Sequence, residues 1–318
     1  MPRASLSRSA TRRGAVSRPP TLLITIAVLM LAAGLILFYV IGMIGSPSPS
    51  SAADKGRPGG APKPASPDLT PPAKQPTPPP SADSGPNPAA AVFAAIAARD
   101  AAAVRAALAS KPDLSRPATE GPLAGLPVLV AAAQTGDSAL VEMLLAAGAS
   151  VDQAGPNERT ALHEAASIGS TAAIDAILRA NAGIDARDAS GRTALMLAVA
   201  AGHDAAAAAL LAGGASVNAA DDQGWTAIAL AADGPATPSL LDRLLQAKAD
   251  AAVVDKAGLS PLMKAAALGS TEKVLLLLNA GAPAGLKAPD GRTARDLALA
   301  RNDDAGRAVA MILDQAVP

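Results

Sequence analysis

Few residues in this chain could carry chemistry. There are two histidines, His163 and His203, and no cysteine. The histidines stand 40 positions apart, and neither lies in an H-E-x-x-H pattern or beside a cluster of metal-binding side chains. Without cysteine, disulfides, thiolate-zinc sites and thiol nucleophiles are excluded. No G-x-S-x-G elbow, phosphate loop or dinucleotide fingerprint occurs. Carboxylates do recur, at Asp185, Asp188, Asp221 and Asp222. Paired carboxylates can do general acid–base work. Their return at one place in a repeating pattern points instead to turn capping, because Asp side chains accept from backbone N–H groups two residues on. The expectation is that the chain has no catalytic residue, no cofactor and no metal, and is not an enzyme.

The elements that position these residues form a repeat. Thr160 to Gly169 reads TALHEAASIG; Thr193, Thr226, Ser260 and Thr293 open similar stretches, and Pro127 opens an earlier one. Successive starts are separated by 33 residues, once by 34. A fixed period of this size signals stacked supersecondary units. Within one unit, the stretch from Thr160 has a short helical pattern. Ile174, Ile177 and Leu178 then mark a second helix, Asn181-Ala182-Gly183 stops it, and Ile184 to Gly191 is a turn-rich connection to Thr193. One such unit cannot cover its own apolar face, but a stack of them can. The alanine-rich composition requires close packing and many small contacts in place of a few large ones.

These residues resemble ankyrin repeats, whose first helix opens T-P-L-H-x-A. TALHEA matches with Ala161 in place of proline, and Ser260-Pro261-Leu262 keeps the proline. The family's leucine pair before Gly-Ala is similar to Leu144-Leu145 with Gly148-Ala149, Leu210-Leu211 with Gly214-Ala215, and Leu277-Leu278 with Gly281-Ala282. The resemblance implies an all-α ankyrin-repeat solenoid over residues 89–318, with about six repeats and a degenerate N-terminal one in which Lys111-Pro112 replaces Gly-Ala. It also implies that His163 is a structural hydrogen-bonding residue. The unit from Thr226 departs from the pattern, with Asp233-Gly234-Pro235 at its inter-helix turn.

Upstream, residues 1–20 hold five arginines and no acid and are expected to be disordered. Thr21 to Ile44 is uncharged and free of proline. That is long enough for a helix to cross the ~30 Å hydrocarbon core and longer than the apolar core of a signal peptide. The expectation is one uncleaved transmembrane helix at 21–44. The arginines before it place the N-terminus in the cytoplasm and the rest across the membrane. Residues 45–88 read as a flexible Pro-rich spacer. Residues 1–90 carry nine basic and three acidic side chains, and residues 91–318 carry 18 and 24. A mildly acidic domain argues against nucleic-acid binding. The high Ala, Arg, Gly and Pro content fits a GC-rich bacterial source, which makes the expected location the inner membrane with the repeats in the periplasm.

The resemblance implies that partners are bound by the loop tips and the concave face of the first helices. The candidates by position are Asn157, Arg159, Ser167, Ile168, Arg187, Ser190, Arg192, Asp222, Gln223, Trp225, Lys256, Leu259, Leu268, Asp290 and Arg292. Trp225 is the only tryptophan. It reads either as a contact residue or as a ring covering the neighbouring loop. Arg159 and Arg192 occupy its place in their units, a row suited to an acidic or planar partner. The expected function is a membrane-tethered protein–protein interaction scaffold whose partner is a protein. The alternatives are a cell-envelope structural protein and an enzyme or small-molecule binder using the repeat groove.

Overall fold

The computed structural model describes residues 89–316. The leader, apolar span and Pro-rich spacer expected over 1–88 lie outside the described residues. Within 89–316 no helix is long and apolar enough to cross a membrane.

The described residues form fourteen α-helices: α1 Ala90–Ala97, α2 Ala101–Leu108, α3 Val128–Gln134, α4 Ser138–Ala146, α5 Ala161–Ile168, α6 Thr171–Arg179, α7 Ala194–Ala200, α8 Asp204–Ala212, α9 Ala227–Asp233, α10 Pro238–Gln246, α11 Pro261–Leu268, α12 Thr271–Asn279, α13 Ala294–Ala300 and α14 Asp304–Ala316. Odd helices pack on odd helices and even on even, so the stack has two helical layers. The described residues contain no named strand, only the isolated bridges Ala220–Thr226 and Lys287–Thr293.

Helices of seven to nine residues do not persist alone in water, so this fold lives on caps and stacking. Thr193, Ser260 and Thr293 each accept from the backbone N–H three residues on, and Thr160 joins His163 in a reciprocal capping box. Behind the caps run two columns. Ala132, Ala165, Ala198, Ala231, Ala265 and Ala298 hold the same place in successive first helices, and all are fully buried. Their methyl groups let neighbouring helices approach closely. In the second layer Leu144, Ile177, Leu210, Leu244 and Leu277 repeat and are also fully buried. Each is worth about 2–3 kcal/mol of hydrophobic burial. The first-helix column Leu129, Leu162, Leu195, Ile228 and Leu262 ends at Arg295, which pairs with Asp314 of α14. A polar residue there closes the stack against water.

Each second helix before α14 is followed by a left-handed residue. Gly148, Gly214 and Gly281 have φ of 87°, 92° and 85°, and the same place is taken by Lys111, Asn181 and Lys248 at 48°, 61° and 66°. Glycine adopts this conformation without steric cost, whereas a side chain is strained in it.

The unit from Thr226 differs at its inter-helix turn, as its sequence suggested. Four residues separate α9 from α10, against two between α5 and α6. The carbonyl of Ala231 would ordinarily accept from residue 235, but Pro235 has no N–H. Lys273 of α12 fills the gap: its Nζ donates to Ala231 O at 2.7 Å and Gly234 O at 2.9 Å. The lysine is buried, and that burial holds its pKa below the usual lysine range, although Asp233 and Asp204 oppose the shift.

Candidate partner-binding face

The hairpin connections between units are built on aspartates. Asp188 Oδ1 accepts from the N–H groups of Ser190 and Arg192, Asp221 Oδ1 from those of Gln223 and Trp225, and Asp255 Oδ1 from those of Ala257 and Leu259. A carboxylate so placed sets the turn and spends its acceptor capacity on backbone. Burial pushes the Asp188 and Asp255 carboxyls up, yet both sit below the usual carboxylate range. For Asp188 the N–H and guanidinium of Arg192 outweigh burial, and for Asp255 the Leu259 N–H and the Lys264 ammonium do so. Asp185 has a different job, accepting from Ser216 N–H of the next unit at 2.8 Å, as Asp152 accepts from Gly183 N–H at 2.9 Å.

Backbone bonds tie the hairpin tips into a row. Ala189 N–H donates to Asn157 O at 2.8 Å, Asp222 N–H to Ser190 O at 3.1 Å and Lys256 N–H to Gln223 O at 2.9 Å. The tip residues Asn157, Ser190, Asp222, Gln223, Lys256 and Asp290 are exposed, so the stack presents them on a fixed frame.

The arginines named as contact candidates, among them the row of Arg159 and Arg192, are engaged within the chain. Arg159 pairs with Glu164 at 3.3 Å, Arg192 with Asp188 at 2.9 Å and Arg292 with Asp290 at 2.6 Å. Arg187 donates to Ala220 O at 2.7 Å and lies 3.9 Å from Asp222. Each positive charge at the Trp225 position therefore has a carboxylate of its own, which lowers the attraction the row would exert on an acidic partner. Ser167 is half-buried and donates to Glu164 O at 3.1 Å, while Ile168 is 41 % exposed and Leu268 is 43 % exposed. Leu259 is half-buried and packs on the core.

Trp225 is half-buried, and its ring carries the ammonium of Lys264 at 3.4 Å from its centroid. Lys264 Nζ also lies 2.9 Å from Asp255 Oδ2, and the two side chains are 4 % and 1 % exposed. The packing reading of Trp225 thus has a definite form. The cluster of Trp225, Asp255 and Lys264 is not apparent from the chain read in order. Its one signal is Lys264 itself, which stands where other units carry Leu197, Leu230 and Leu297.

Both histidines bridge units. His163 is fully buried. Its Nε2 meets Arg192 O at 3.1 Å, so that nitrogen carries the proton. Its Nδ1 then accepts from Thr160 N–H at 3.2 Å and Thr160 Oγ1–H at 2.9 Å. Burial holds its pKa below the usual histidine value. His203 Nε2 meets Ser167 O at 3.1 Å. Among the described residues no group of three or more His, Asp or Glu side chains is placed to hold a metal ion.

A family model for ankyrin repeats, in three copies, matches residues 128–221 and 173–236. Among solved structures 507 chains match. One is the crystal structure of the human ASB11 ankyrin repeat domain, 23 % identical, with a TM-score of 0.61, covering 69 % of this chain and 96 % of that one. The search of curated proteins found no match. The family match places ankyrin repeats over residues 128–236, and helix pairs of the same arrangement continue to Ala316.

Proposed function

We propose that these ankyrin repeats form a non-enzymatic protein-binding scaffold, tethered to a bacterial inner membrane by residues 21–44 and presented on the periplasmic side beyond the spacer 45–88. The observation that carries the binding reading is the division of labour among polar groups. Aspartates, histidines and the buried lysines serve turns, caps and unit-to-unit bonds, while the tips from Asn157 to Asp290 stand exposed on a rigid row. Such a surface suits recognition by shape, with few aromatic or charged anchors. The tether rests on the length and lack of charge of 21–44 and on the five arginines before it.

Two experiments test this. Cross-linking of the full-length chain in membranes should give a saturable protein partner, lost when Trp225, Arg159 and Arg192 are changed together. A scaffold that captures nothing saturably, while its spacer binds wall material, would be an envelope structural protein instead. A reporter fused after Pro318 should be active outside the cytoplasm. Activity confined to the cytoplasm would overturn the orientation.

A further inference from the structure

We infer that Lys264 is a positioning residue for Trp225: with Asp255 it clamps the indole between two units and holds it as a preformed anchor for the protein partner. The anchor half of this statement rests on the scaffold reading above; the clamp half does not.

Three observations meet here. The first is location. Trp225 closes the hairpin before α9, whereas Lys264 lies on α11 of the following unit, so the contact at 3.4 Å crosses from one unit to the next. Elsewhere the same two places pair within one unit, Arg159 with Glu164. In that unit an ion pair forms; at Trp225 the cation lies over a ring.

The second is burial. Lys264 and Asp255 are both closed off from water and lie 2.9 Å apart. A buried ion pair seldom stabilises a fold more than apolar side chains of similar size would. Leu197, Leu230 and Leu297 occupy this place in three other units; beside Leu197 the turn aspartate Asp188 is paired by Arg192, whereas Leu259 takes that arginine's place here and Lys264 is the cation beside Asp255. Neutralising the buried Asp255 gives the ammonium a structural role. What it adds is directional attraction to the face of an indole, strongest where water is excluded.

The third is what the clamp leaves available. Trp225 remains half-buried, not buried. A large side chain whose orientation is set before binding loses little freedom on contact, the property that makes a tryptophan an effective anchor.

Because Trp225 is the only tryptophan, its fluorescence reports the clamp with no partner present. In the full-length chain, Lys264→Met should raise acrylamide quenching about twofold or more and lower the emission anisotropy, as expected when a desolvated cation–π contact is lost. Lys264→Arg should retain wild-type values, since a guanidinium also stacks on an indole. Should Lys264→Met fail to fold, the double variant Asp255→Asn/Lys264→Leu decides, since it carries the leucine that three units already accommodate. Wild-type quenching and anisotropy in a folded Met or double variant would overturn the clamp, as would an Arg variant that behaves like Met. The anchor is tested by cross-linking: Trp225→Ala should lose the partner, and Lys264→Met should weaken its capture. Undiminished capture by Trp225→Ala overturns the anchor and leaves both clamp and scaffold standing. No saturable capture by the wild-type chain overturns the scaffold reading and the anchor together.

Discussion

His163 offers the sharpest check on how the units hold together. Replacing it with methionine keeps the volume roughly constant, and Met196 and Met263 already fill the corresponding place in two other units. Three bonds are lost: those from Thr160 N–H and Oγ1–H to Nδ1, and that from Nε2–H to Arg192 O. The last costs less than it first suggests, because Arg192 O also accepts from Asp188 N–H at 2.9 Å and is not orphaned. The main penalty is the buried Thr160 N–H left without an acceptor, so the total is about 1–2 kcal/mol at neutral pH. Acid should change that figure. Burial lowers the folded-state pKa of His163, so below the unfolded value of about 6.5 the unfolded chain binds more protons, and stability falls as pH falls toward the folded pKa. A proton on Nδ1 would also face the Thr160 N–H, destroying the capping box. His163→Met cannot titrate, so its stability deficit should shrink between pH 7.5 and pH 5. Urea denaturation of both chains at the two pH values measures this. A deficit that is the same at both, or grows on acidification, would refute the assignment of a neutral, buried imidazole.

Four further substitutions probe the stack. Thr193 caps α7 through Met196 N–H, whereas the buried hydroxyl of Thr226 has no partner; Thr193→Val should cost about 1 kcal/mol and Thr226→Val close to nothing by denaturation. Lys248→Gly should stabilise by about 0.5–1 kcal/mol, the left-handed strain relieved less the added freedom of the unfolded chain. Lys273→Met leaves the Ala231 and Gly234 carbonyls without their lysine donor and should cost about 2–4 kcal/mol. The accompanying rise in amide hydrogen exchange should be confined to α9 and α10, and a rise spread evenly over the stack would refute the capping role.

Much of the fold was legible because each unit solves the same physical problem with the same residues. Thr or Ser must cap, alanine must let helices approach, leucine must fill the second layer, and a period of 33 exposes all three at once. The structural reading of His163, which occurs in one unit only, came from the family resemblance. The candidate site was less legible. Arg159 and Arg192 read as a row suited to an acidic or planar partner because a carboxylate four or five residues away is an ordinary surface neighbour until the hairpin geometry brings it within an ion-pair distance. Lys264 drew no reading from the sequence, standing on an alanine-rich helix. Only the tryptophan and aspartate contributed by the adjoining hairpins make its place closed. Lys273 was harder still: Pro235 announces a carbonyl in need of a donor, but nothing local says that the donor arrives 38 residues later.

These departures from the pattern are not scattered. The inserted turn at Gly234–Thr237, the capping lysine Lys273, the uncapped Thr226 and the clamp of Trp225, Asp255 and Lys264 all fall in the adjacent units that open at Thr226 and Ser260. Positions that repeat are consumed by stacking and vary little without loss of fold. Positions that break the pattern, while the fold closes around them with buried ions, are free to encode what the chain recognises. The arginines at 159 and 192 follow the pattern and are neutralised in place. The largest losses of partner capture are therefore expected at Trp225, with smaller losses at Lys264 and the neighbouring tips Gln223 and Lys256, and Arg159→Ala and Arg192→Ala should each be weaker still. A scan of capture across these six positions that put the strongest losses at the two arginines would reverse the assignment, making the repeating half of the surface the part that reads the partner.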